Sequence, residues 1–195
     1  NNIDADILIL TEADEQVELP RYAHKVSSKP LDEPTYAKTE YRTIIYSKYK
    51  LIRSQDTCDD KTAICPVFET PEGPLAVYGT ILGIHGNRRP SFQEDLEKQL
   101  SDFNGISKEV PICIAGDFNI SFADNYYFTK SGRDQLNGCF ELNNLAKLTA
   151  ELPEAIDHIV ISASVIDNRN VNIEEWNLDK SLSDHKGVCV ELVES

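Results

Sequence analysis

The chain has 195 residues, is 41% hydrophobic and 8% aromatic, and carries a formal net charge of −14 at neutral pH. That length fits one domain (residues 1–195), able to bury roughly 70% of its unfolded surface. The excess of 33 acidic over 19 basic residues excludes broad electrostatic capture of nucleic acid, which needs Lys and Arg on the phosphates.

Residues 5–11 predict a buried strand that runs into the acidic stretch Glu12 to Glu18. Pro20, Pro30 and Pro34 make 19–40 read as loop. Strands are expected at 42–47, 63–69 and 75–84 from their β-branched and aromatic content. A polar stretch at 54–62 and the hairpin turn Pro71-Glu72-Gly73-Pro74 separate them. Ser91 to Phe103 predicts a helix: Ser91 and Glu94 have capping-box spacing, and Phe92, Leu96, Gln99, Leu100 and Phe103 share one face. The run Val110 to Ala115 reads as a buried strand closed by Gly116-Asp117-Phe118-Asn119. A polar, helix-leaning region covers 121–148, and strands follow at 156–161, 171–176 and 187–193. Strands with helices inserted between them give an α+β sandwich.

No apolar run approaches the roughly 20 residues of a membrane span, and no signal-peptide pattern opens the chain. Five cysteines at 58, 65, 113, 139 and 189, without a Cys-x-x-Cys pair, argue against zinc. Cys58 and Cys65 flank a polar loop and would pair on export. Free thiols in a reducing compartment are the simpler reading and favour the cytoplasm over secretion. The chain contains no methionine and begins Asn1-Asn2, which points to a fragment.

Several of these strands begin or end in polar residues. The 5–11 strand leads to Glu12, the 75–84 strand to His85, and the 110–115 run to Asp117 and Asn119. Asp157 opens the Ile159-Val160-Ile161 run, and Ser183-Asp184-His185 precedes Val188-Cys189-Val190. Asp117 and Asn119, two apart on extended backbone, point to one side and can hold a water, a phosphate oxygen or a hydrated cation. A strand-ending Asp-x-Asn turn has the same sequence. Glu12 also fits a solvated acidic stretch, and His85 a hydrogen-bonded core histidine. Arg88 and Arg89 could grip a substrate phosphate or sit in a solvated loop. Strand alternation turns His158 away from Asp157, out of the site.

In this order, Leu10-Thr11-Glu12, Ile84-His85, Gly116-Asp117-Phe118-Asn119, Ile156-Asp157-His158-Ile159 and Ser183-Asp184-His185 resemble the endonuclease/exonuclease/phosphatase superfamily, the DNase I-like fold. Tyr46-Ser47-Lys48-Tyr49 is similar to a further segment of that family. The resemblance implies a four-layer sandwich of two packed mixed β-sheets flanked by helices, here lacking the family's first β-α unit. It implies Mg²⁺-dependent (or Mn²⁺-dependent) hydrolysis of a phosphoester, with nucleic acid or a small-molecule or lipid phosphate as substrate. By resemblance Glu12 and Asp184 are the metal ligands. Asp117 orients or deprotonates the attacking water, Asn119 holds it or a phosphoryl oxygen, and His185, oriented by Asp157, donates to the non-bridging phosphate oxygens or acts as an acid-base group. His85 serves the leaving-group side. A catalytically impaired relative used as a binding module is the competing reading.

Overall fold

Three β-sheets and three helices make up the fold in the computed structural model, which describes residues 4–31, 39–84 and 86–194. Strands β1 (Ile7–Asp14), β2 (His24–Ser27) and β3 (Glu40–Ser47) form an antiparallel sheet in the order β1-β3-β2. A six-stranded mixed sheet joins β4 (Lys50–Gln55), β5 (Cys65–Thr70), β6 (Gly73–Ile81), β7 (Ile112–Asp117), β8 (Leu145–Lys147) and β9 (Asp157–Ser162) in the order β4-β5-β6-β7-β9-β8. Strands β10 (Arg169–Trp176) and β11 (Gly187–Glu194) pair as a separate antiparallel ribbon. The helices are α1 (Pro90–Ile106), α2 (Lys130–Leu142) and the single turn α3 (Ala163–Ile166).

Side-chain alternation along β7 explains the layering. Ile112 and Ile114 are fully buried in a cluster with Leu96 and Phe103 of α1 and Leu136 and Phe140 of α2. Cys113 and Ala115 point to the opposite face of the sheet. On that face Phe68 and Val77 pack against Ile45, with Ile7 and Ile9 of β1 beside them. Helices, large sheet and smaller sheets therefore stack as a sandwich.

Two expectations are corrected. The loop expected at 19–40 contains β2, because pairing of His24–Ser27 with Ile44–Ser47 outweighs its polar composition. Residues 32–38 of that loop lie outside the described residues. Ser91 caps nothing: Pro90, whose fixed φ suits the first helical position, starts α1 one residue earlier, and the N-cap Arg89 makes no side-chain cap bond. The hairpin at 71–74 forms as expected, with Thr70 opposite Gly73. All five cysteines are free.

The sandwich is open on one flank. Among the described residues β1 pairs only with β3 and β11 only with β10. Residues of both strands line one groove of about 1270 Å³, floored by Cys113, Ala115, Ile159 and Ile161.

Candidate active site

The centre of the site is a register pair. Strands β7 and β9 run antiparallel, and Asp117 stands directly opposite Asp157, which brings their side chains within reach of each other. Gly116 makes the approach to β6 possible. Its φ is +135°, and a Cβ there would lie 2.0 Å from the Thr80 carbonyl oxygen, so no other residue fits. Asp157 Oδ2 then meets His185 Nδ1 at 2.8 Å. One ligand atom from each of Asp117, Asp157 and His185 lies within 4.8 Å of the others.

The electrostatics follow from this crowding. Burial, with the neighbouring Asp157 carboxylate second, pushes the Asp117 carboxyl up to about 7. The hydrogen bond from Asp157 raises His185 to about 9 against its partial burial. At neutral pH Asp117 is poised between its two forms and His185 is an imidazolium.

Asn119 closes the corner in a way extended backbone does not allow. Its φ is +49°. Its backbone N–H donates to Asp117 Oδ1 at 2.7 Å, and its Nδ2 donates to Asp117 Oδ2 and to the Leu82 carbonyl, both at 2.9 Å. The segment is thus the side-chain-closed turn: Asn119 is not on extended backbone, and its Nδ2 donors go to Asp117 and the Leu82 carbonyl. Phe118 between them is fully buried, edge-on to His158 and Phe122. His158, 1% exposed, bonds the Ile120 carbonyl and Thr149 on the interior side, away from Asp157.

Asp184 is exposed, next to His185 in a loop that Asn177 organises. Asn177 Nδ2 donates to the carbonyls of Ser183 and His185, and its Oδ1 accepts the Leu182 N–H. Glu12 is exposed and interrupts the β1–β3 ladder between Thr11 and Ala13 with a φ of +50°. Its charge still reaches Asp117 and raises it slightly. Glu12 and Asp184 are not in the close cluster. Arg88 and Arg89 are exposed in the loop before α1, and His85 lies outside the described residues.

A pocket of about 210 Å³ opens beside Asp157 and His185, with Asn119, Tyr126, Tyr127 and Lys180 also on its wall. Asp124 shapes it by accepting the N–H groups of Tyr126 and Glu154 at 2.9 and 2.8 Å. Sequence reasoning missed Asn177, Asp124, the two tyrosines and Lys180. The one available signal was turn-forming Asn and Asp in loops flanking the site.

A profile of the Endonuclease/Exonuclease/phosphatase family matches residues 1–185. The chain belongs to this family. The endonuclease/exonuclease/phosphatase fold is equally plain in solved structures. A protein of that description from Beutenbergia cavernae DSM 12333 superposes with a TM-score of 0.68 at 16% identity, over 97% of this chain. The present chain spans 63% of that one. The 3′ phosphatase NExo from Neisseria, bound to a product DNA hairpin, gives 0.68 at 17% identity, over 96% of this chain and 88% of NExo. A beta toxin from Staphylococcus aureus gives 0.61 at 15%, over 96% and 87%. No curated protein matches in sequence. The mixed sheets with flanking helices are thus a DNase I-like sandwich.

Proposed function

We propose that this endonuclease/exonuclease/phosphatase domain hydrolyses a phosphoester with the help of Mg²⁺ or Mn²⁺. The observation that carries the reading is the paired Asp117 and Asp157 at adjoining strand ends, with His185 hydrogen-bonded to the second. Asp117, held near neutrality by burial, takes a proton from the attacking water, since a general base works best with its pKa near the working pH. Asn119 fixes the orientation of that carboxylate. His185, kept protonated by Asp157, donates to a non-bridging phosphate oxygen. His85 serves the leaving group, and Arg88 and Arg89 hold the substrate's phosphate.

A hard cation takes oxygen ligands and needs only one or two carboxylates. Glu12 and Asp184 are the ligands the family resemblance assigns, and Asp117, Asp157 and His185, whose ligand atoms lie within 4.8 Å of one another, are a second group that could hold the ion. The left-handed backbone of Glu12 fits a residue held for function. Held by these residues, a divalent cation would neutralise charge on the phosphate and the leaving oxygen. Tyr126, Tyr127 and Lys180 offer an aromatic wall and a cation to the group attached to the phosphate, which suits a nucleotide end or a small or lipid phosphate ester.

The test is hydrolysis of plasmid DNA, a 3′-phosphorylated hairpin, an aryl phosphodiester and a phospholipid ester. Each is assayed with Mg²⁺, with Mn²⁺ and with EDTA. We expect cleavage of at least one, lost in EDTA and restored by excess metal. Hydrolysis that persists at full rate in EDTA refutes the metal, and no hydrolysis of any substrate refutes the activity.

A further inference from the structure

We propose that Asn87 is a positioning residue for the Asp117–Asn119 corner, acting through the Asn119 carbonyl. The inference rests on the phosphoesterase reading above. Asn87 sits in the loop between β6 and α1 and is 3% exposed. Its Nδ2 donates to the Asn119 carbonyl oxygen at 2.7 Å. A carbonyl only accepts, so this bond fixes which end of the carboxamide faces the corner. The other end, Oδ1, is buried and has no partner among the described residues. Interior acceptors are nearly always paired, and an orphan is costly. A carboxamide that leaves one end unsatisfied is kept for what its other end does.

What it holds is a left-handed turn. Asn119 has φ +49°, a region asparagine enters more readily than most side chains. Asn119 supplies three hydrogen bonds itself, two to Asp117 and one to the Leu82 carbonyl. Asn87 restrains the same residue from a separate loop. On one side the Phe118 N–H is anchored to the Ile156 carbonyl at 2.8 Å. On the other the Ile120 carbonyl is tied to His158. Two peptide units, one carrying the Asn119 N–H and the other its carbonyl, lie between these anchors. Without Asn87 the Asn119 backbone relaxes toward ordinary φ and the first unit swings its N–H off Asp117 Oδ1. Asp117 then loses a donor and its aim at the water, while the phosphate-binding groups stay in place.

The experiment compares the parent, Asn87→Ala and Asn87→Asp, each with Mg²⁺ and the best phosphoester substrate. For Asn87→Ala we expect kcat to fall about 10- to 100-fold, the scale of a small misplacement, with KM within about twofold. Asn87→Asp preserves size but sets an acceptor against the Asn119 carbonyl, so it falls at least as far. A packing role predicts the reverse order, with Asn87→Asp close to the parent, and that result overturns the proposal. Amide exchange followed by NMR gives a second reading that needs no activity. In Asn87→Ala the Asn119 N–H loses protection while the Phe118 N–H keeps it; unchanged protection of Asn119 also overturns the proposal. A parent inactive on every substrate refutes the phosphoesterase reading instead, and the exchange measurement still decides the role of Asn87 in holding the corner.

Discussion

Asp117→Asn lowers kcat by about 10²–10⁴-fold, the usual worth of a positioned general base, and makes the metal-free protein more stable above pH 7. Both effects come from burial. Asp117 is 8% exposed, and its carboxyl is pushed up to about 7 from 3.8. A carboxyl with a raised folded-state pKa leaves stability intact below its unfolded value. That stability is lost as pH rises from about 4 through about 7. The full cost of ionising it in the fold is about 4 kcal/mol at 1.36 kcal/mol per pH unit. Asparagine removes the charge but turns an amide NH₂ toward Asn119 Nδ2, so the net gain is about half of that. Urea titrations in EDTA at pH 5 and pH 8.5 check it: the parent is weaker at the higher pH, and the variant is much less so. A variant that is inactive and also destabilised at pH 8.5 marks a structural residue rather than a base.

Asp157→Asn costs hydrolysis by a similar order, because the imidazole loses the carboxylate that orients and charges it. His185 is raised from 6.5 to about 9 chiefly by that hydrogen bond. Its contribution to stability is fully present below about 6.5 and is lost as pH rises through about 9. The His185 side chain is 31% exposed, so solvent screening reduces the effect to about 1–2 kcal/mol. In chelator the parent therefore melts at lower temperature at pH 9.5 than at pH 6, by about 2–4 °C per kcal/mol for a domain of this size. Asp157→Asn flattens that window and narrows the lower one without removing it, because burial is the larger cause of the raised Asp117 pKa and the Asp157 charge the second. Equal slopes between pH 6.5 and 9 in parent and variant reject the pairing as the cause.

Much of this was written in apolar runs. Strands β3, β6 and β7 carry Ile, Val and Tyr in unbroken stretches that only a sheet interior accommodates, and their ends fall close to where composition places them. Strand β2, His24-Lys25-Val26-Ser27, has no such run and exists because β3 offers it an edge. Strand β4 is mostly exposed at one edge of the six-stranded sheet, so it too lacks a burial signature. Ser91 and Glu94 had the right spacing for a cap, but Pro90 decided the start of α1. Within the site, Asp117 and Asn119 were visible as charged and polar residues stopping a buried strand. That Asp117 faces Asp157 depends on strand register, a long-range property with no local trace. Asn87 and Asn177 were illegible for another reason. Each holds loop carbonyls with one carboxamide, and such a contact leaves neither periodicity nor spacing in the sequence.

Among the described residues the flank between β1 and β11 is unpaired, which bears on how this domain self-associates. Free strand edges over an apolar floor are where sheets join edge to edge into larger assemblies. A net charge of −14 keeps copies apart in dilute buffer, but its reach shrinks from about 30 Å at 0.01 M salt to about 3 Å at 1 M. Added salt should therefore drive self-association, and light scattering across that range should rise with ionic strength; a particle mass independent of salt excludes it. Self-association and the proposed metal-assisted chemistry would then ask for opposite buffers, since added cations also screen the charge that keeps copies apart.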